Sequence, residues 1–278
     1  MEFPRITIVT PSFNQASFLE ATMRSVLCQN YPNLEYIIMD GGSSDGSVGI
    51  IQKYANRLAH WESRRDPGQA DAIQRGFERS TGDILGWLNS DDLLLHGSLQ
   101  KIGEYFASRP EVDCVVAGCL TIDPGGCVVR GRFGLRCINL GAPITFHKLL
   151  LSKYHGFNQP ATFWRRSAFF AVGGIDSSLQ FCLDFDLFLR LSRKKAFGRL
   201  KEFVACYRSH PASKTNRLQD VCVQEASMLW TKYGREQYSR VYRTMAALAL
   251  TSALKSRYLL LNLCVSCGVV RLPPLSSQ

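Results

Sequence analysis

Between Ile6 and Asp92, short apolar runs alternate with stretches of helical period, and the apolar runs end at polar or acidic residues. The first run, Ile6-Thr7-Ile8-Val9-Thr10, is β-branched throughout and stops at Pro11, ahead of a polar turn at Ser12-Phe13-Asn14. Branched side chains suit a pleat and Pro cannot donate to a ladder, so this reads as a strand with a defined end. From Ala16 to Cys28, Leu19, Met23, Val26 and Leu27 recur with helical spacing. Leu34 to Met39 is a second apolar run, closed by Asp40-Gly41-Gly42-Ser43-Ser44-Asp45-Gly46. A helical stretch with Val48, Ile51, Tyr54 and Leu58 follows, then a short strand near His60-Trp61-Glu62 and a helix marked by Ala70, Ile73 and Phe77. Ile84 to Leu88 runs straight into Asn89-Ser90-Asp91-Asp92. Apolar strands alternating with helices predict an α/β fold, a mostly parallel sheet covered on both faces.

Past residue 110 the rhythm changes. Val112 to Ile122 and Val128 to Phe133 flank Asp123-Pro124-Gly125-Gly126, which predicts a hairpin. Residues 134–165 read as an irregular loop, Asp184 to Lys194 as a helix and Lys201 to Tyr207 as a strand. From Leu218 the pattern is helical to Leu263, interrupted at Gly234. The economical division is one domain over residues 1–215 with a basic helical extension over 216–278.

The net charge of +10 is unevenly placed. Residues 1–189 carry 17 Lys and Arg against 19 Asp and Glu, whereas residues 190–278 carry 16 against 4. So basic a C-terminal region predicts an anionic partner: nucleic acid, phospholipid headgroups or a phosphorylated substrate. The ten cysteines are scattered, with C-x-x-C spacing only at Cys264 and Cys267, and read as buried thiols in a reducing compartment. No apolar run reaches the 18 residues of a spanning helix, and Met1-Glu2-Phe3-Pro4-Arg5 lacks the basic start of a secretory signal. Both point to the cytoplasm.

Ligands of parallel α/β sheets bind beyond the carboxyl ends of the strands. Asp40, Asp71 and the pair Asp91 and Asp92 fall there. Each alone suits a turn or a helix cap. Their repetition at strand ends points to a polar ligand, and the adjacent pair to Mg²⁺ or Mn²⁺ completed by phosphate oxygens.

Four ordered motifs, at Ile6 to Gln15, Asp40 to Ser47, Asp66 to Ile73 and Gly82 to Asp92, resemble family-2 glycosyltransferases of the GT-A fold, over roughly residues 4–215. The resemblance implies a Rossmann-like, mostly parallel sheet flanked by helices. It implies an inverting transfer of sugar from a nucleotide-diphosphate donor, a UDP-sugar, to a hydroxyl of a saccharide or lipid-linked acceptor, with Mn²⁺ or Mg²⁺, in polysaccharide synthesis. Residue by residue, it places Thr10, Pro11, Ser12 and Asn14 at the nucleotide, Asp40 on the base and Asp71 against the nucleotide. Asn89-Ser90-Asp91-Asp92 takes the place of the metal-binding D-x-D motif; Asn89 departs from its first acid, so metal contact rests on Asp91 and Asp92, with Asp92 favoured and Asp91 also counted with the nucleotide sugar. Phe181 to Arg190 resembles the catalytic Glu-Asp motif, with Leu183 replacing the glutamate and Asp184 matching the base, while Asp186 and Arg190 read as an i,i+4 pair. Asn158 to Phe163 resembles an acceptor-side segment, giving Gln159 and Phe163. Tyr207 to Thr215 resembles a closing motif, in which His210 reaches the metal or diphosphate and Arg208 and Lys214 contact phosphate.

Two other readings compete. A nucleotidyltransferase would also bind a nucleotide and a divalent ion, but should carry a glycine-rich basic loop after its first strand, which Thr10 to Asn14 lacks. A nucleic-acid-binding module is suggested only by the basic tail and lacks zinc-finger or aromatic RNA-binding signatures, so no nucleic acid is expected. In that tail, Met245, Leu248, Leu250, Leu254, Leu259, Leu260, Leu261 and Leu263 are interleaved with Arg240, Arg243, Lys255 and Arg257. Such a segment can lie on an anionic membrane surface, which would put the chain at the inner face of the cell membrane, or pack on the domain.

Overall fold

The computed structural model describes residues 3–131, 135–142, 144–151, 158–267, 270, 272 and 273. Strands β1 (Ile6–Ser12), β2 (Leu34–Asp40), β3 (His60–Ser63) and β4 (Ile84–Trp87) pair in parallel, with β1 between β2 and β4 and β3 outside β2. Ser12 stands opposite Asp40, and Val9 opposite Trp87, so the segments that follow all three strands leave at one edge. Helices α1 (Ala16–Leu27), α2 (Ser47–Lys53) and α3 (Gln69–Arg79) make the connections. Two-residue alternation sorts the strand side chains between two cores. Ile6, Ile8, Tyr36, Ile38 and Ile84 face α1, while Val9, Ile37, Met39, Leu85 and Trp87 face α3.

β5 (Leu93–Leu94) and α4 (Ser98–Ala107) lead into β6 (Cys114–Ile122), where the parallel pattern breaks. Of the expected hairpin, Asp123 and Cys127 close the turn, Ile122 bridges Val128 and the Val129 N–H donates to the Thr121 carbonyl at 2.8 Å, while Phe133, the expected end of the second arm, lies outside the described residues. Of the stretch read as loop, the described part holds β7 (Ile138–Asn139), α5 (Phe146–Leu151) and β8 (Thr162–Arg165). β8 carries no strand signal in the sequence, because four residues just after Pro160 leave too short a period to read. It inserts antiparallel between β4 and β6, so the sheet is mixed, in the order β3-β2-β1-β4-β8-β6, continuing through β9 (Phe197–Arg208) to β5. A Cβ on Gly86 would stand 2.6 Å from the Phe163 ring. This bare position in β4 lets β8 seat that ring in the core.

α6 (Arg166–Ala171) and α7 (Leu183–Lys194) complete the core beside α3, followed by α8 (Lys214–Arg217), α9 (Gln219–Lys232) and α10 (Arg240–Ser266). α9 is tied to α7: the Glu225 carboxylate accepts the backbone N–H of Gln180, Phe181 and Cys182 at 2.7, 2.9 and 2.7 Å. Asp186, fully buried, accepts from Arg190 and from the Tyr233 hydroxyl, each at 2.7 Å, and so fills a packing role. α10 is different. Of its 27 residues only Asn262 is buried, and its amide accepts from the Arg136 N–H at 2.8 Å and donates to the Arg136 carbonyl at 3.1 Å. No described helix is long and apolar enough to cross a membrane.

Candidate active site

A cleft of about 780 Å³ opens at the carboxyl edge of β1, β2 and β4 and is walled on its far side by residues around α8. Pro11 and Ser12 line it from β1, Gly41 and Gly42 from the loop after β2, and Asn89 and Asp91 from the loop after β4. Asp40 sits behind that wall, fully buried. One oxygen accepts the N–H of Gly42 and Ser43 at 3.1 and 2.9 Å and the Ser63 hydroxyl at 2.7 Å; the other accepts the Ser43 hydroxyl at 2.6 Å. Its acceptor sites are turned on its own neighbourhood, so it shapes the loop, with Gly42 at φ +84°, and does not face the cleft as expected. Thr10 is likewise buried, bonded to the Tyr36 hydroxyl at 3.0 Å. Asn14, at φ +51°, accepts the Ser44 N–H at 2.9 Å and stitches the β1 and β2 loops together.

Asp71 also departs from its expected place. Its carboxylate accepts from Arg75 Nε at 2.7 Å, one helical turn away, outside the cleft lining. Asp66 lines the cleft instead, accepting the Gly68 N–H at 3.0 Å; burial, with the Asp71 and Asp40 charges adding, raises its pKa above the usual carboxylate value. Phe163, expected at the acceptor, is 1% exposed within the core. Gln159 donates to the Trp87 carbonyl at 2.7 Å and accepts from Asn89 Nδ2 at 3.3 Å, behind the cleft wall.

Asn89 is a junction. Its Oδ1 accepts from Gln69 Nε2 at 2.7 Å, and Gln69 Oε1 accepts from Lys214 Nζ at 2.6 Å. Its Nδ2 also donates to Asp92 at 3.2 Å. Asp92 is fully buried, with its other oxygen accepting the Arg208 N–H at 2.8 Å; burial and the neighbouring Asp91 charge hold its pKa well above the carboxylate range. Preference for Asp92 as the metal contact therefore does not fit this geometry. Asp91 lines the cleft, and its Oδ2 lies 3.0 Å from His210 Nε2. Arg208, expected on phosphate, is 4% exposed and donates to the carbonyls of Asp91, Asp123 and Pro124 at 2.7, 3.0 and 3.0 Å. It is a clamp between two loops. Lys214 does reach the cleft.

Asp184 is the second residue of α7 and partly buried; Cys182 takes the cap position without a side-chain bond. The Asp184 carboxylate accepts the Phe185 N–H at 2.7 Å. Burial pushes its pKa up to about 6, tempered by that N–H and by the Lys214 charge. The same burial pushes Lys214 down, with the Asp184 charge opposing.

The family model described as glycosyl transferase family 2 matches residues 7–165 of the 278, more than half of the chain. The chain belongs to glycosyl transferase family 2. An uncharacterised glycosyltransferase of Mycobacterium tuberculosis is 37% identical over 90 residues, 32% of this chain and 34% of its own length, so the chain spans about a third of that relative. TuaG of Bacillus subtilis, named for teichuronic acid biosynthesis, is 34% identical over 109 residues, 38% of this chain and 43% of its own. Among solved structures, S. aureus TarS 1–349 in complex with UDP-GlcNAc superimposes with a TM-score of 0.63 at 13% identity, covering 89% of this chain and 71% of that one. The mannosyltransferase PcManGT from Pyrobaculum calidifontis, in complex with GDP-Man and Mn²⁺, gives 0.60 at 15%, covering 98% and 78%. These likenesses are of fold, and the fold is GT-A.

Within this family-2 chain, the cleft lining collects Pro11, Ser12, Asp91 and Lys214 of the expected residues; Thr10, Asp40, Asp92, Gln159, Phe163 and His210 are buried outside it, and Asn14, Asp71 and Asp184 also lie outside that lining. Asp66 and Gln69 also line the cleft, outside the expected set. The signal for both was Asp66-Pro67-Gly68-Gln69 itself: a rigid turn before a helix start aims its flanking polar groups at the strand edge.

Proposed function

We propose that this family-2 enzyme transfers a sugar, with inversion, from a nucleoside-diphosphate donor to a hydroxyl of a saccharide or lipid-linked acceptor in polysaccharide synthesis. The observation that carries the reading is the meeting, at 3.0 Å, of Asp91, which lines the cleft, with the buried His210, 119 residues away in sequence. The UDP-GlcNAc and GDP-Man complexes of the structural neighbours support a nucleotide sugar, and the name of TuaG supports a polysaccharide product. Pro11, Ser12, Gly41 and Gly42 would border the nucleotide, with the Asp66 carboxyl beside them to accept from or donate to a base. Lys214, a cation with a partly buried stem, suits a diphosphate oxygen.

Asp91 and His210 would be the protein donors to a divalent ion, with the Nε2–Asp91 hydrogen bond giving way to it. Asp91 and His210 offer a carboxylate and an imidazole side by side, and no third His, Cys, Asp or Glu completes a group with them among the described residues. Two protein donors completed by phosphate oxygens and water suit Mg²⁺ or Mn²⁺. When bound, such an ion would neutralise charge on the departing diphosphate. Asp184 would take the proton of the acceptor hydroxyl as it attacks. Its raised pKa makes it a stronger base than an ordinary carboxylate, still largely ionised at pH 7. A single displacement inverts the anomeric centre; a retaining one would need a positioned nucleophile.

Catalysis is assigned to residues 1–215 and surface attachment to residues 216–278. In α10, Val241, Met245, Leu248, Leu259 and Leu263 are each 49–73% exposed. At 100° per residue they form one row, flanked by Arg240 and Lys255, which suits the inner face of an anionic membrane. Two experiments test the reading. Incubation with UDP- and GDP-sugars in Mn²⁺ should release the nucleoside diphosphate from one donor class, and release from none overturns the proposal. The protein should sediment with anionic vesicles and stay in the supernatant with neutral ones; equal recovery in both overturns the membrane assignment.

A further inference from the structure

A second cavity, of about 530 Å³, lies between α10 and the edge formed by β6 and β7. Its size is within the roughly 300–1,000 Å³ of small-molecule sites. Ile138, Leu140, Leu254, Leu260 and Leu261 give it an apolar wall. Two cations share that wall: Arg199 from β9 and Arg257 from α10. Arg199 Nε donates to the Leu140 carbonyl at 3.3 Å, and neither guanidinium has an ion-pair partner among the described residues. Burial, with the Arg257 charge adding, pushes the Arg199 pKa down. No acid follows Glu236 in the sequence, so α10 brings none to this place.

Such a site asks for one ligand with two properties. An anion between the guanidinium groups relieves their repulsion, and phosphate oxygens suit that fork geometry. An apolar chain on the same ligand covers the leucine wall, which a free anion would leave wet. A neutral lipid would cover the wall and leave the charges unmatched. The location adds a third constraint. Asn158 lines this cavity, and the next residue, Gln159, accepts from Asn89, which lines the donor cleft. Thr121 of the cavity pairs in register with Tyr207 of the cleft. The exposed apolar row of α10 belongs to the same helix that walls the cavity.

We propose that this cavity holds the phosphate and the first apolar stretch of a lipid phosphate, the carrier of the acceptor, with Arg199 and Arg257 as its phosphate contacts. The proposal rests on the transferase reading above and makes its acceptor lipid-linked.

Calorimetric titration of the full chain with decyl phosphate below its micelle concentration tests it, with inorganic phosphate and decyl maltoside as the other arms. Expected is one decyl phosphate per chain, bound at least about tenfold more tightly than either control, since the site uses charge and chain together. Arg257→Gln should weaken it about tenfold and Arg257→Lys less, while nucleoside-diphosphate release from the donor stays at the wild-type rate; Arg257 is exposed, so the fold tolerates both. Inorganic phosphate binding as tightly would make this a site for a free anion and overturn the proposal. So would equal binding of the neutral detergent, absence of binding, or indifference to Arg257→Gln. Donor turnover without decyl phosphate binding sinks this inference alone; decyl phosphate binding without turnover of any nucleotide sugar sinks the transferase reading instead.

Discussion

Asp184→Asn is expected to transfer sugar roughly 10²–10⁴-fold more slowly than the wild type, about 3–5 kcal/mol of barrier, while binding the nucleotide donor with unchanged affinity. An amide cannot accept a proton at neutral pH, yet its oxygen can still accept the Phe185 N–H that the carboxylate holds at 2.7 Å. Folding should therefore survive. The sign of the stability effect follows from the raised pKa. The folded chain binds this proton more tightly than the unfolded one, so the contribution is present below the ordinary value of 3.8 and is lost as pH rises toward about 6. At pH 7 the wild type bears a partly buried charge that Asn removes, so the melting temperature of Asp184→Asn should hold or rise. The wild-type transfer rate should climb as pH passes through about 6, where the base becomes free, and the variant should lose that limb. Transfer by Asp184→Asn at close to the wild-type rate would remove Asp184 from the chemistry.

Chelation is expected to abolish nucleoside-diphosphate release, with Mn²⁺ or Mg²⁺ restoring it, and Asp91→Asn should reproduce most of the loss without a comparable fall in melting temperature. Asp91 faces the cleft beside His210, so its charge serves a ligand more than the fold. Asp92→Asn should be milder for turnover. Its oxygens are occupied by the Arg208 N–H and the Asn89 amide, and an Asn side chain can still accept from Arg208. Measuring release for both variants over a metal titration ranks the two. Full activity in excess chelator removes the ion from the mechanism, and a more damaging Asp92→Asn reverses the ranking.

The strands and helices of the first ninety residues were legible because their signals are local. β-Branched runs, helical spacing and the turn chemistry after each strand need no distant partner, and the strand ends alone point to one edge of the sheet as the site. The chain's family motifs lie in that same stretch, which is why the GT-A fold could be read before any coordinate. Beyond it, β8 took its place by pairing with β4 and β6, partners far away in sequence, around the space left by Gly86. No window of neighbouring residues carries that information.

The roles of the acids divide the same way. Sequence placed Asp40, Asp71, Asp91 and Asp92 near the cleft, since position along the chain decides which strand end a residue follows. It could not say which carboxylates would be consumed by the fold. Asp40 is taken by its own loop, Asp71 by Arg75 and Asp92 by the Arg208 backbone, while Asp91 lines the cleft with the buried His210 beside it. The Asp40 and Asp71 partners are near in the chain, but for Asp91 and Asp92 only tertiary structure decides, because a carboxylate's chemistry depends on the donors and water around it, and theirs come from residues 119 and 116 positions away.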